Sequence, residues 1–315
     1  MNFIEPSVEL IEEKDLYKKI ELAGRTCYKS ENKITDDSAV KFVKGLIKRQ
    51  HTAMLEHAVV VFQLYHDQWA DITSYIAYLN RQKFINVTFE YDLKTEKSRY
   101  LVSANIRAIC ERGINDPLFR ELVKNYPDLA YGCDDLSYNF YEDIYAKIVD
   151  LNDFDNLTAD EKEKHYYKTF RIITDRGVTH ELVRHRLCSF AQESTRYVNY
   201  KDGLSIALPS DFYDRSSEAQ ITYQKAFEYA EMFYRTLIEL CGQTPQQARA
   251  VLPTATKTEI VVTTNFSEWS HIINLRYLGT TGAPHPDIKV VTEKIYNILK
   301  EDKLVGDMLE NVQKV

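Results

Sequence analysis

Four short runs rich in β-branched and aromatic residues punctuate this chain, at 57–65, 85–91, 167–174 and 258–264. They alternate rather than run fully apolar, as strands do when only one face is covered. Between them the apolar period switches to that of helices, at 12–23, 67–79, 178–186 and 287–299. Thr35 reads as the N-cap of a further helix, Ser216 or Ser217 caps a long one that stops before Gly242, and Ser267 caps one that runs to Leu278. Thr244-Pro245 opens another, which Pro253 ends. Helices interspersed with half-covered strands predict an α+β fold with a mostly antiparallel sheet. No repeat or Pro/Gly/Ser-rich linker divides the 315 residues, so one domain is expected.

Composition narrows the function. Apolar residues make up 44% of the chain, enough for a sizeable core. Lys and Arg number 40 against 47 Asp and Glu, and a net charge of −7 tells against a polynucleotide binder. The ten glycines form neither GxGxxG nor GxxxxGK[ST], so no glycine-rich loop of the usual kinds holds a nucleotide. Cys27, Cys110, Cys133, Cys188 and Cys241 are odd in number and show no CxxC spacing, which fits a reduced, cytoplasmic setting. The first residues lack a basic start and an apolar run, and no stretch is apolar enough to span a membrane. The 22 tyrosines serve either packing or the stacking of planar ligands.

The densest chemistry is HELVRHRLCSFAQESTRY, residues 180–197. Arg184, Arg186 and Arg196 stand close together around His185 in an acidic protein. Arginine forks bind phosphate by bidentate, charge-assisted hydrogen bonds; the plainer reading is a solvated face or internal ion pairs. His180-Glu181 and His185 form HExxxH, not HExxH. That spacing sets the two imidazoles about 140° apart on a helix, so a zinc site is rejected. Cys188 and Ser194 are alternative nucleophiles of a hydrolase, without an evident Asp–His orienter in sequence. Further on, Arg249 precedes Pro253, and Arg276 falls at i+7 from Trp269 on the stripe of Ile272 and Ile273. An arginine there either snorkels or pairs with an anion. Asn265 and His271 flank it as polar residues or caps.

Together these blocks resemble the flavin-dependent thymidylate synthase family. The resemblance rests on Arg184-His185-Arg186 followed by Ser194, Arg196 and Tyr197, on GRTCYKS at 24–30, on HTAMLEHAVVVF at 51–62, and on QQARAVLP, Asn265 and INLR further on. It spans roughly 120 residues in three blocks and leaves about 66–165 as an insertion. It implies a thymidylate synthase-complementing fold and the methylation of dUMP to dTMP. Methylenetetrahydrofolate is the carbon donor, FAD the flavin and NADPH the reductant. It also implies a homotetramer with active sites shared between subunits, acting on small molecules and not on nucleic acid or membranes. By the resemblance Arg276 is catalytic, stabilising charge on the pyrimidine. Glu181, Arg184, Gln192, Glu193, Ser194, Thr195, Arg196 and Arg249 bind dUMP with it. Ser30, His57, Arg184, His185, Arg186, Asn265 and His271 hold FAD. Either Gln192 or Glu193 stands for the family glutamate. His271 stands where asparagine is common, and His285 lies in a longer segment after Arg276.

Overall fold

The computed structural model describes residues 1–67, 70–93, 96–132 and 141–312. Two four-stranded antiparallel sheets carry it. The first has the order β2 (Ser7–Ile11), β7 (Tyr167–Asp175), β10 (Lys257–Asn265) and β8 (Ser189–Gln192). The second has the order β4 (Ile85–Asp92), β5 (Lys97–Asn105), β3 (Val59–His66) and β6 (Ile144–Ile148). A parallel pair, β1 (Asn2–Ile4) with β9 (Ser205–Ala207), stands apart. The expected α+β, mostly antiparallel class is therefore found.

Strand β10 is buried at every position from 258 to 264 because both faces of its sheet are covered. Ile260 and Val262, with Ile172 and Phe170 opposite them in register, face α10 (Phe266–Ile273), α11 (Pro286–Lys300) and α12 (Gly306–Val312). Trp269 meets Phe170 edge-on at 5.0 Å and ties α10 to the sheet, a pairing worth about 1 kcal/mol beyond its burial. On the other face, Val261 and Ala191 pack with Ala23 of α1 (Leu16–Tyr28).

The second sheet shares a core with α1, α2 (Ser38–Lys48), α3 (Ile72–Leu79), α4 (Ile106–Cys110) and α5 (Pro117–Asn125). Ile20 and Val43 there touch the same cluster as Phe62, Tyr75, Val102 and Leu122. Helix α6 (Ala159–His165) closes this part. Its Glu161 is wholly buried, caps Thr158 and takes both Nε and Nη2 of Arg99 on β5. Helices α7 (Arg176–Leu182), α8 (Ser217–Glu239) and α9 (Pro245–Ala248) complete the chain.

Several boundaries differ from the sequence reading. The first helix opens at Leu16, because Asp15 accepts from Tyr17 N and Lys18 N, while 7–11 is a strand. Thr35 is not the cap of α2; Asp37 is, and Thr35 N donates instead to Ser38 Oγ. Helix α7 ends at Leu182, so His185 and Arg186 lie beyond it. Asn265, not Ser267, caps α10, its Oδ1 accepting from Glu268 N at 3.0 Å. Ser216 and Thr244 do cap α8 and α9. Strand β5 was hidden by its polar start, and β8 by the charged motif that contains it. Cys133 and part of the expected helix 67–79 lie outside the described residues.

Candidate active site

After α10 the chain continues through Asn274–Leu278 as a π turn, which Gly279 closes at φ 70°. The wider turn takes Arg276 out of register with the buried Trp269, Ile272 and Ile273. Its guanidinium is paired, not snorkelling into water: Nη1 donates to Glu181 Oε2 at 2.7 Å and Nε to His185 Nε2 at 3.4 Å. His185 Nδ1 lies 3.3 Å from Glu268 Oε1, and its ring meets His271 edge-on at 5.7 Å. These partners assign the proton to Nδ1 and leave Nε2 as acceptor. Ligand atoms of His185, Glu268 and His271 lie within 4.8 Å of one another, close enough for a metal. Arg276 beside His185 puts a fixed positive charge there, which opposes a cation. Arg184 and Arg186 are exposed and form no ion pair among the described residues.

A second group lies past the other end of β8. Ser194 N donates to Cys27 O at 3.0 Å, and Ser194 Oγ accepts from Arg196 N at 3.3 Å. Arg196 lies over the Tyr197 ring at 5.5 Å, and its Nε donates to Gln246 Oε1 in α9, three residues before the exposed Arg249. Tyr197 packs on Tyr28, so GRTCYKS is brought against the arginine motif; Thr195 and Ser30 are half-buried. Gln192 Nε2 donates to Thr179 Oγ1 and Thr258 Oγ1, while its Oε1 has no hydrogen-bond partner among the described residues. Glu193 is committed internally, accepting from Tyr200 Oη at 2.7 Å and Lys257 Nζ at 2.9 Å. Lys257, Lys29 and Arg171 also gather on Glu259. Burial pushes the Glu259 carboxyl up, but these three cations outweigh it and hold it down at about 2. No hydrogen bond or ion pair among the described residues joins Arg276 to Ser194, Arg196 or Arg249.

His57 forms the third part. It is fully buried at the end of a 3-10 segment, Thr52–His57. Its Nδ1 is 2.9 Å from Thr263 Oγ1, which is itself 2.9 Å from Thr169 Oγ1. The two threonines stand in register on β10 and β7. Burial lowers the His57 pKa to about 4, so the ring is neutral. Its Nε2 is buried with no hydrogen-bond partner. Thr263 and Asn265 line a cavity of about 50 Å³ with Ser189, Glu56 and Phe84.

The alternative nucleophiles lose ground. Cys188 is buried, and that burial raises its thiol pKa, so no thiolate forms. No histidine hydrogen-bonds to Ser194 among the described residues. Glu268, Gln246, Thr263 and Lys257 were missed in the sequence. Glu268 alone left a trace there, three residues after the capping Asn265.

Fold and site define an α+β protein whose family-type motifs converge on a paired, half-buried arginine and a set of exposed cations suited to anions. The chain belongs to the thymidylate synthase complementing protein family, whose model matches residues 9–68 and 163–302. A flavin-dependent thymidylate synthase of Geobacter sulfurreducens is 36% identical over 102 residues, covering 32% of this chain and 43% of that protein. One from a Mycobacterium species (strain KMS) is 34% identical over 131 residues, covering 36% and 50%. The chain thus spans about half the length of the curated relatives it matches. Among solved structures, a UMP/dUMP methylase of Streptomyces cacaoi bound with 5-Br dUMP aligns over 99% of this chain and 97% of its own, at 15% identity and a TM-score of 0.44. Among the described residues no helix is long and apolar enough to cross a membrane.

Proposed function

We propose that this chain is a flavin-dependent thymidylate synthase. It makes dTMP from dUMP with methylenetetrahydrofolate as carbon donor, NADPH as reductant and FAD as hydride carrier. The observation that carries the reading is Arg276, turned out of its helix stripe by a π turn and held by Glu181 and His185 inside the family-matched segment. Uracil is a poor carbon nucleophile, and negative charge develops on its ring. A fixed guanidinium in a sheltered site stabilises that charge far more than water does. Glu181 orients Arg276 and lines the substrate side with Arg184. Ser194, Thr195, Arg196 and Arg249 take the phosphate dianion. Of Gln192 and Glu193, we assign the substrate contact to Gln192, because Glu193 is already bonded to Tyr200 and Lys257.

The exposed guanidinium groups of Arg184 and Arg186, which have no ion pair among the described residues, fit the anionic pyrophosphate of a bound flavin dinucleotide. Ser30, His57, Arg184, His185, Arg186, Asn265 and His271 would hold it. When bound, the reduced flavin would supply the hydride that passes to the pyrimidine.

The proposal covers residues 1–315 as one catalytic domain, with an insertion at about 66–165. It includes a homotetramer with shared sites, supported by the Arg276 group and the Ser194–Arg249 group lying past opposite ends of β8 in one chain. A cytoplasmic setting is supported by free thiols at Cys27, Cys110, Cys188 and Cys241. The test is the visible absorption spectrum of the purified protein, with and without dUMP. Flavin bands that shift on adding dUMP support the reading. A colourless protein that takes up no added FAD sinks it.

A further inference from the structure

The segment outside the family match builds a cleft of its own. It measures about 440 Å³ and lies between the turn before β4 and α4. Arg81, Lys83, Arg107 and Arg112 all line it, a concentration of cations in a chain whose net charge is −7. Arg107 is neutralised, its Nε donating to Glu111 and its Nη1 to Glu56. Arg81 and Lys83 are exposed and have no carboxylate partner among the described residues. Arg112 differs from both. Its side chain is 3% exposed, its Nε and Nη2 both lie 2.7 Å from Asp116 Oδ2, its guanidinium lies 4.6 Å from the Tyr78 ring, and only its Nη1 is left buried without any partner. A buried guanidinium nitrogen left unpaired is costly unless a ligand completes it.

Phe84 gives a second, independent sign. It stands at φ 61°, a backbone conformation bulky side chains seldom adopt, and such outliers gather at binding sites. Phe84 also lines the small cavity of Thr263 and Asn265, so it stands between the two spaces together with Glu56 and Asn105.

We infer that this cleft is a binding site for the anionic tail of a planar ligand whose ring lies toward the Thr263–Asn265 cavity. Arg81 is a fork for a carboxylate or phosphate, Lys83 is a point charge at the rim, and Arg112, held by Asp116 and Tyr78, offers the single unpaired Nη1 at the cleft wall. The inference deepens the proposed function, because both the γ-glutamyl tail of the carbon donor and the pyrophosphate of a dinucleotide have this chemistry.

Isothermal titration of the full chain with tri-γ-glutamate and with pyrophosphate, in the absence of flavin and dUMP, tests it. At least one probe is expected to bind, and its affinity is expected to fall about tenfold or more in Arg81→Gln/Lys83→Gln. Binding of the tripeptide alone assigns the carboxylate source, and binding of pyrophosphate alone the phosphate source. Arg112→Gln should weaken the same probe further. If that variant does not fold, the surface double variant still decides. Failure of both probes to bind, or binding unchanged in the double variant, overturns the inference. Neither result depends on the dUMP-induced flavin shift, so the two readings fail separately.

Discussion

At the scale of residues, Arg276 is the side chain whose environment says most. Its fork is fixed by Glu181 and His185, so little rearrangement is needed to meet an anion. Arg276→Ala is expected to lower dTMP formation by about 10²- to 10³-fold, measured as steady-state turnover of a protein that still melts cooperatively. Arg276→Lys should recover little, because a lysine has no planar fork. Buried histidines set a pH response. His57 titrates near 4 and His165 near 3 in the fold, both lowered by burial, against about 6.5 unfolded. Between those values the unfolded chain binds protons that the folded chain does not. Stability is therefore full above about 6.5 and falls as the pH drops toward 4, by on the order of 3 kcal/mol for His57. Thermal melts between pH 7 and 5 should show this fall, and a shallower one in His165→Gln. His185 and Arg276 were legible from the RHR and INLR motifs. Glu268 was not, because nothing in a lone glutamate says which ring it will face.

At the scale of elements, close approach and burial decide which changes matter. A Cβ on Gly24 would lie 2.6 Å from the Phe42 ring, where α1 crosses α2. Gly24→Ala is expected to cost about 1–3 kcal/mol, read from the urea midpoint. Glu161 joins α6 to β5 through Arg99 while wholly buried. Glu161→Ala should cost about 3–5 kcal/mol by the same measurement, since it strands a cation and an N-cap amide. Strands β3, β7 and β10 were legible because their β-branched runs are long. Strand β8 is four residues inside a charged motif, and only its pairing with β10 makes it a strand. The π turn at Asn274–Leu278 was unreadable too, since its apolar spacing continues that of α10.

At the scale of the whole molecule, the two halves of the candidate site lie past opposite ends of β8, and no hydrogen bond or ion pair among the described residues joins them. If sites are shared between copies, mixing Arg276→Ala with Arg196→Ala protein should restore dTMP formation that each variant lacks. Mixed turnover no greater than the sum of the two would speak for a site within one subunit. The segment between the family-matched blocks is no loose appendage: Tyr75, Val102 and Leu122 share a core with Ile20 and Val43. By itself the sequence determined the α+β class, the motifs and the kinds of chemistry they favour, because these depend on local period and on side-chain identity. Only the tertiary structure decided which polar groups neutralise one another, as Lys257 does Glu193, and which are left unpaired, as His57 Nε2 and Arg112 Nη1 are. Pairing is set by contacts between residues far apart in the chain, and no spacing along the sequence encodes it.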